Sequence, residues 1–303
     1  MKRRDFLTNS VSGGAYLGLG GLTLNSCGFQ NSKQITILHT NDVHSHIDPF
    51  PHDHSAFPNM GGAARRATLI QKIREENPYT LLLDAGDIFQ GTPYFNFYGG
   101  ELEFKLMNML KYDAATIGNH DFDHGIEGLL AQMPNARFKL LSANYDFTNT
   151  VMNGFVQAYD TFLLNGIKIG VFGLGIKLAG LVAEDLFKET VYVNPIEIAQ
   201  DMSAALKNEE KCDLVICLSH LGYSYKDAQR PSDLKLASKT DNIDLIIGGH
   251  THTFLDKPVI RRNRLDKSVL VNQVGCYGIN LGRIDFYFDS NKNLQTDGIS
   301  ITV

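Results

Sequence analysis

The feature that most constrains the fold of this chain is a short apolar run that ends in a dense group of polar side chains. The run AATI at residues 114–117 has the length and composition of a buried strand, and GNHDFD at residues 118–123 follows it directly. Because glycine permits a sharp backbone turn, this segment is predicted to turn away from the end of that strand. Taken alone, it fits equally a catalytic loop and a polar loop whose Asn or Asp caps a helix.

Similar polar groups follow other apolar runs, and helical segments alternate with these runs in the front half of the chain. An Asn-Gly pair at 165–166 between apolar runs predicts a hairpin, and residues 269–303 hold strand patterns without a long helix. This order favours an α/β core that carries some antiparallel strands, with ligands at the carboxyl ends of its strands. Predicted strands are residues 34–38, 80–83, 114–117, 139–142, 213–218 and 243–247, and predicted helices are residues 63–76, 102–110, 125–132 and 196–206.

The polar residues at these strand ends have the donor atoms of a divalent metal site. They offer carboxylate, imidazole and amide groups without any thiolate, and they suffice for two metal ions if the Asp87 carboxylate bridges them. Two such ions would clamp a phosphoryl group and the attacking oxygen. Singly, the Asp42 and His44 pair is a common surface arrangement, and His220 is typical of a hydrogen-bonded histidine at a strand end. The candidate ligands are Asp42, His44, Asp87, Asn119, His220, His250 and His252.

The remaining histidines and the cysteines have less specific interpretations. His39, His46 and His124 either orient the ligands or have purely structural roles, whereas His52 and His54 lie in a polar loop and are expected to be solvated. The cysteines are expected to be free and mostly buried, because Cys212 and Cys217 are too far apart on one strand to bridge and no Cys-x-x-Cys occurs. The net charge of −5 argues against a nucleic-acid polymer as partner.

The first 27 residues have the order of an export signal, with a basic cluster, a short apolar and glycine-rich run and small residues before a break. The pair Arg3 and Arg4 resembles a twin-arginine signal, and LNSC at residues 24–27 resembles a lipoprotein cleavage site, which would attach a lipid to Cys27. We therefore expect an exported protein of the bacterial cell envelope, periplasmic or held at the membrane only by a lipid anchor. Residues 28–33 would form a tether.

Five motifs in order, followed by a closing segment, resemble those of the calcineurin-like metallophosphoesterases, and more closely those of the 5'-nucleotidase branch. The resemblance covers residues 35–286, and the third motif carries Asp121 where the branch usually has Glu. The motifs are ILHTNDVH at 37–44, LLLDAGDIFQGTP at 81–93, GNHDFD at 118–123, SHLG at 219–222, GGHTHT at 248–253, and the closing residues Gly275, Tyr277, Gly278 and LGR at 281–283.

The resemblance implies a fold, a cofactor and residue roles. The fold would be a four-layer αββα sandwich with two mixed β-sheets. Of two divalent metal ions, one would be held by Asp42, His44, Asp87 and His252, and the other by Asp87, Asn119, His220 and His250. A hydroxide on the metals would attack phosphorus in line, with Asn119 and His120 contacting the substrate. His120 would stabilise the transition state or protonate the leaving oxygen, and Asp123 would orient it.

The resemblance also sets expectations for domains and substrate. Residues 34–303 would form the catalytic domain, without the C-terminal nucleotide-binding domain of the branch, so a separate chain would supply that surface or the substrate would be small. The expected substrate is a phosphate ester, most simply a nucleoside 5'-monophosphate. Nucleotide-sugars, cyclic nucleotides and sulfur esters are alternatives, as is a non-catalytic metal-binding lipoprotein subunit. The ligand set suits Mn, Zn, Fe or Co.

Overall fold

Two six-stranded sheets packed face to face form the centre of this computed structural model, which describes residues 32–291 and 293–303. The predicted leader, the Cys27 lipid site and most of the predicted tether lie outside the described residues. The first described strand begins at Lys33, the last residue of that tether. Within the described ranges, no helix combines the length and the apolar character that crossing a membrane would require.

The first sheet has the strand order β14-β13-β1-β2-β3-β4. Its strands β1 to β4 run parallel, whereas β13 pairs antiparallel with both β1 and β14. The parallel strands therefore present their carboxyl ends along one edge. The strands are β1 (Lys33–Thr40), β2 (Thr80–Asp84), β3 (Ala114–Thr116), β4 (Lys139–Leu141), β13 (Asn280–Phe288) and β14 (Leu294–Thr302).

The second sheet has the order β11-β12-β10-β9-β7-β6, with four central parallel strands and an antiparallel strand at each edge. A short pair, β5 (Tyr145–Asp146) and β8 (Val191–Tyr192), lies apart from both sheets. The strands of the second sheet are β6 (Tyr159–Leu164), β7 (Ile167–Leu174), β9 (Leu214–Ser219), β10 (Leu245–Gly248), β11 (Val259–Arg262) and β12 (Ser268–Asn272).

Alternate residues of each central strand face different layers of the core. In β1, Ile35 and Ile37 pack between the two sheets, whereas Leu38 packs against the outer helices. In β9, Ile216 packs between the sheets and Val215 packs outward. Strands with both faces buried are rich in apolar residues, which explains why the strands appear in the sequence as continuous apolar runs.

Helices cover the outer faces, which gives four layers. The α1, α3 and α4 helices pack on the first sheet, and α6 and α7 pack on the second. The mixed α/β fold with two large sheets, expected from the sequence, is therefore confirmed. The helices are α1 (Ala63–Glu76), α2 (Pro93–Tyr98), α3 (Glu101–Leu110), α4 (Gly125–Gln132), α5 (Glu184–Phe187), α6 (Pro195–Asn208) and α7 (Asp233–Lys239).

Candidate metal centre

The seven candidate ligands all follow the carboxyl ends of parallel strands. In the first sheet, Asp42 and His44 come after β1, Asp87 after β2 and Asn119 after β3. In the second sheet, His220 comes directly after β9, and His250 with His252 after β10. The polar edges of the two packed sheets meet, and side chains more than 200 residues apart in sequence converge there.

The backbone at these positions is held in an uncommon conformation. Asp42, His44, Asp87, His250 and His252 have φ angles between 50° and 71°, in the left-handed region that residues with a side chain seldom adopt. Such residues persist only where surrounding contacts fix them, and they gather at functional sites. Here the backbone N–H of each of the first two residues donates to a carbonyl of the 86–87 turn, at 3.0 Å in both cases.

One group of candidate ligands joins Asp42, His44 and His252, whose donor atoms all lie within 4.8 Å of one another. The Nε2 atoms of His44 and His252 are 3.1 Å apart, and His252 Nε2 lies 3.4 Å from Asp42 Oδ1. The carboxylate of Asp42 also accepts the backbone N–H of His250 at 2.9 Å and the side-chain amide of Asn41 at 2.6 Å. These bonds fix the carboxylate at the centre of the group.

A second group joins Asp87, His220 and His250 in the same way. His220 Nε2 lies 3.0 Å from Asp87 Oδ2, and His250 Nδ1 lies 2.8 Å from the side-chain oxygen of Asn119. The same Asp87 oxygen is 3.7 Å from His44 Nε2 of the first group. Asp87 therefore lies between the two groups, in the position that a bridging carboxylate requires.

The charges in this region depend strongly on one another. Burial alone would lower the pKa of His220, but the charge of Asp87 and its hydrogen bond raise that pKa to about 10. Burial likewise opposes a raised pKa at His252, where the hydrogen bond to Asp42 prevails and the pKa is about 10. Burial and the His220 charge lower the pKa of His250 to about 4. The buried carboxylates thus need positive charge close by.

The imidazole nitrogens and carboxylate oxygens of the two groups are arranged as ligands of divalent cations rather than as hydrogen-bond partners of one another. His220 Nδ1 donates to the Ala85 carbonyl at 2.7 Å, and His44 Nδ1 to the Phe89 carbonyl at 3.1 Å, so each Nε2 would be the atom that gives up its proton and binds a cation. The Nε2 atoms of His220 and His44 each face a carboxylate oxygen of Asp87, and that of His44 also faces the imidazole nitrogen of His252. A cation between such atoms would satisfy them all. The described residues therefore contain two adjacent candidate metal sites.

His120 and Asp123 form a separate pair beside these groups. His120 Nδ1 lies 2.9 Å from Asp123 Oδ2, and the hydrogen bond to this carboxylate raises the pKa of His120. The ring centroids of His120 and His44 are 5.3 Å apart, and the backbone N–H of His120 donates to Asp87 at 2.8 Å. Residues 120–122 form a 3-10 turn, and Asn119 makes no side-chain cap bond to it. The capping alternative is therefore wrong for Asn119.

Asp121 is a residue of this region to which the sequence analysis assigned no role. Its buried carboxylate accepts four backbone N–H groups, two on each oxygen, at 2.7–3.1 Å. Burial and the Asp87 charge raise the pKa of Asp121 to about 7, and these N–H donors act in the opposite direction. The bonds hold the turn after β2 against the turn after β3. No spacing rule reveals such a contact, because it joins loops more than 30 residues apart. The donors are Asp87, Ile88, Phe89 and Gly118.

The other histidines divide between the site and the rest of the fold. His46 lines the same cavity as the candidate ligands, whereas His39 is buried in β1 beside Asn272 and His124 packs on Phe95. His52 is exposed, as expected. The expectation of a solvated His54 is wrong, since its half-buried ring packs between two phenylalanines of the same loop. Cys212, Cys217 and Cys276 are free and buried, which confirms the prediction for them.

Comparison with known proteins places this geometry in a family. The model of the calcineurin-like phosphoesterase family matches residues 35–254. The trifunctional nucleotide phosphoesterase protein YfkN of Bacillus subtilis is 36% identical over 300 residues, which cover 89% of this chain and 19% of that protein. The snake venom 5'-nucleotidase of Crotalus adamanteus is 32% identical over 291 residues, which cover 87% of this chain and 47% of that protein.

A solved structure agrees with these matches. The 5'-nucleotidase precursor from Thermus thermophilus superposes with a TM-score of 0.81 at 32% identity, covering 89% of this chain and 55% of that one. The chain thus spans between about a fifth and a half of the length of the curated relatives named above. These matches confirm the resemblance that the motifs indicated, and the chain belongs to the calcineurin-like phosphoesterase family, with homology to the N-terminal domains of 5'-nucleotidases.

Proposed function

We propose that this chain is a metal-dependent phosphomonoesterase that acts on nucleoside 5'-monophosphates. The observation that carries the proposal is the convergence of two candidate metal groups on one carboxylate, that of Asp87, with the His120 and Asp123 pair beside them. A protein that only stored metal would need the two groups but not the pair. The family supports phosphate-ester chemistry, and the relatives, a nucleotide phosphoesterase and a 5'-nucleotidase, support nucleotides.

The proposed ligand sets overlap at the shared carboxylate. Asp42, His44, Asp87 and His252 would hold one divalent cation. Asp87, Asn119, His220 and His250 would hold the other. When bound, the two cations would activate a water molecule and neutralise the phosphoryl oxygens. The mixed nitrogen and oxygen donors suit Mn, Zn, Fe or Co.

The chain's own residues would then orient the ester and move a proton. Asp123 holds His120 by its Nδ1 atom at 2.9 Å, which leaves Nε2 for the substrate. As the oxygen of water forms its bond to phosphorus, the bond from phosphorus to the ester oxygen breaks, and His120 donates its proton to that leaving oxygen. The proton that the attacking water loses then restores the protonated His120 ring. The products are an alcohol and inorganic phosphate.

The proposal extends to export. The basic and apolar order of residues 1–27 supports transport across the bacterial inner membrane, and Cys27 is the proposed lipid attachment point. An enzyme placed there would meet phosphate esters outside the cytoplasm. Mass spectrometry of the protein from bacterial membranes tests this part, because lipidation would add diacylglycerol at Cys27 and Cys27→Ser would abolish the addition.

The decisive experiment measures turnover by the full chain loaded with Mn²⁺ on AMP and on p-nitrophenyl phosphate. We expect both to be hydrolysed and chelation to abolish turnover. We expect His120→Asn to lower kcat roughly 10²–10⁴-fold, in the range for loss of a proton donor, while the protein retains its bound metal. Nucleotide-sugars, cyclic nucleotides and sulfur esters complete the panel and decide the substrate class.

The matched control is His124→Asn, because His124 is the exposed histidine that packs on Phe95 away from the candidate ligands. It should keep wild-type turnover. Metal bound at two ions per chain without turnover on any ester would overturn the enzyme proposal in favour of a non-catalytic metal-binding subunit.

A further inference from the structure

A row of aromatic rings borders the cavity that contains the candidate metal ligands. The cavity has a volume of about 570 Å³, within the range of small-molecule sites, so it has room for more than a phosphoryl group. Phe50, His54 and Tyr277 line this cavity together with the candidate ligands and His120. We call the row the aromatic platform, and it consists of Phe50, His54, Phe57, Phe254 and Tyr277.

Tyr277 connects the platform to the candidate metal centre. Its ring centroid lies 5.8 Å from that of His252 and 5.8 Å from that of Phe50. Its backbone has a φ of 61°, and its N–H donates to the Asp42 carbonyl at 2.7 Å. A residue in this conformation persists only where its surroundings fix it, and here the backbone of a candidate ligand does so. The ring therefore lies between His252 of the candidate metal centre and Phe50 of the platform.

The other rings continue from Tyr277 away from the candidate ligands. The centroid of Phe50 lies 4.5 Å from that of His54, and the His54 and Phe57 rings stack at 5.8 Å with an interplanar angle of 11°. Phe57 in turn stacks on Phe254 at 6.1 Å. Unlike core aromatics, these rings keep solvent-exposed surface: Phe254 is 46% exposed and the other four are half-buried. A planar ligand in the cavity can therefore reach the row at Phe50, His54 and Tyr277.

The loop that carries three of these rings is held by its own hydrogen bonds. The Phe50 N–H donates to the Met60 carbonyl at 2.9 Å, and the Phe57 N–H donates to His54 Nδ1 at 3.0 Å. The hydroxyl of Tyr94 in α2 donates to Asp48 at 2.6 Å. A platform that is ordered before binding costs less conformational entropy when a ligand arrives.

We propose that the aromatic platform binds the base of a nucleoside 5'-monophosphate while its phosphate occupies the candidate metal centre. This inference rests on the proposed function and names the residues that select its leaving group. Stacking on aromatic rings tolerates every base, because each base has a π face, so the platform selects aromatic esters as a class rather than one nucleotide.

The test compares AMP with ribose 5-phosphate, which carries the same sugar phosphate without a base. With the metal-loaded full chain, we expect kcat/KM to be at least 10-fold higher for AMP. Phe50→Leu should lower kcat/KM for AMP roughly 5- to 100-fold, mainly through KM, the range for loss of one base–aromatic stack, because Phe50 lines the cavity. The variant should leave ribose 5-phosphate within twofold of wild type.

Two control variants separate stacking from folding. Phe50→Tyr keeps an aromatic ring and should keep the preference for AMP. Phe155→Leu removes a phenylalanine that is 51% exposed and lies outside this cavity, so it should change neither substrate. Equal losses on both esters in Phe50→Leu, or no loss on either, would overturn the proposal that the platform binds the base. Binding of lipid vesicles or of other proteins by this surface, without any preference for AMP over ribose 5-phosphate, would also overturn base binding by the platform.

Binding of adenosine, which has no phosphate, distinguishes failure of this inference from failure of the proposed function. Saturation-transfer NMR should detect adenosine on the wild-type chain, with a signal strongly reduced in Phe50→Leu, and should detect no ribose. If the chain binds adenosine in this way but hydrolyses no ester, the phosphomonoesterase proposal is refuted, whereas base binding by the platform is supported. If the chain hydrolyses both esters equally and binds no adenosine, base binding by the platform is refuted, whereas the phosphomonoesterase proposal is supported.

Discussion

Asp121 shows, at the scale of single residues, that the candidate metal centre depends on a carboxylate that is not itself a candidate ligand. Each of its two oxygens accepts two backbone N–H groups, so the side chain ties the Asp87 turn to the Gly118 turn. Gly118 is packed as tightly, since a Cβ atom there would lie 2.1 Å from Asp87 Oδ1. The position of the shared carboxylate is thus set by both neighbours.

We predict that Asp121→Asn destabilises the fold and weakens metal binding. Whichever way the new amide is turned, its NH₂ group faces two N–H donors, and each unsatisfied buried group costs roughly 1–3 kcal/mol. Urea unfolding measures the loss in free energy, and titration with Mn²⁺ measures the affinity. Asp121→Glu keeps two acceptor oxygens and should lose less on both measurements. Equal losses in the two variants would show that shape rather than acceptor number matters here.

A second prediction at this scale concerns Gly118. Gly118→Ala should displace the Asp87 carboxylate and reduce metal affinity at least 10-fold, because the added methyl group overlaps both its Oδ1 and its backbone nitrogen. Gly154→Ala is the control: nothing lies within 4 Å of a Cβ there, so only the strain of its φ of 82° remains. Isothermal titration of both proteins with Mn²⁺ decides. Unchanged metal affinity in Gly118→Ala would contradict the packing argument.

At the scale of elements, the spacing of apolar residues and the Pro and Gly residues at element ends predict the longer helices and strands well. The helix expected at residues 63–76 and the one expected at 125–132 match α1 and α4, because apolar spacing and a flanking Pro or Gly define both. The Asn-Gly pair at 165–166 joins β6 to β7 as a hairpin. Three helices were missed, namely α2, α5 and α7, because four to seven residues are too few to show a periodic face. Short elements are fixed by tertiary contacts that local spacing does not encode.

The cap of α6 gives a prediction at this scale. The Asn194 side chain accepts the Ile196 N–H at 3.0 Å and donates to Glu197 at 2.8 Å, which satisfies a helix end that would otherwise lack a partner. Asn194→Ala should lower the free energy of unfolding by about 1 kcal/mol without changing turnover. Asn194→Ser retains an acceptor oxygen and should stay near wild type in urea unfolding. Loss of activity in the alanine variant would link this helix to the site in a way the contacts do not indicate.

At the scale of the whole molecule, the candidate metal centre joins the two sheets. Asp42, Asp87 and Asn119 come from the first sheet, and His220 and the two histidines after β10 come from the second. The sequence reveals this because all seven residues follow apolar runs, and the carboxyl ends of parallel strands gather at one edge. The aromatic platform escaped sequence analysis for the opposite reason. Its rings come from loops at residues 50–57, 254 and 277, whose meeting depends only on how the loops fold over that edge.

A centre that joins two sheets should stabilise the whole fold when metal binds. A ligand that binds only the folded state adds about 2.7 kcal/mol to the free energy of unfolding at a concentration 100 times its Kd. Mn²⁺ should therefore raise the unfolding temperature of the chelator-treated protein by roughly 5–10 °C. Asp87→Asn should abolish this increment, because its oxygen faces both groups. His120→Asn should keep the increment although it loses turnover, since His120 pairs with Asp123 rather than with the candidate ligands. Calorimetry of the three proteins with and without Mn²⁺ separates metal binding from proton donation. An equal increment in Asp87→Asn would show that the Asp87 carboxylate does not hold the metal.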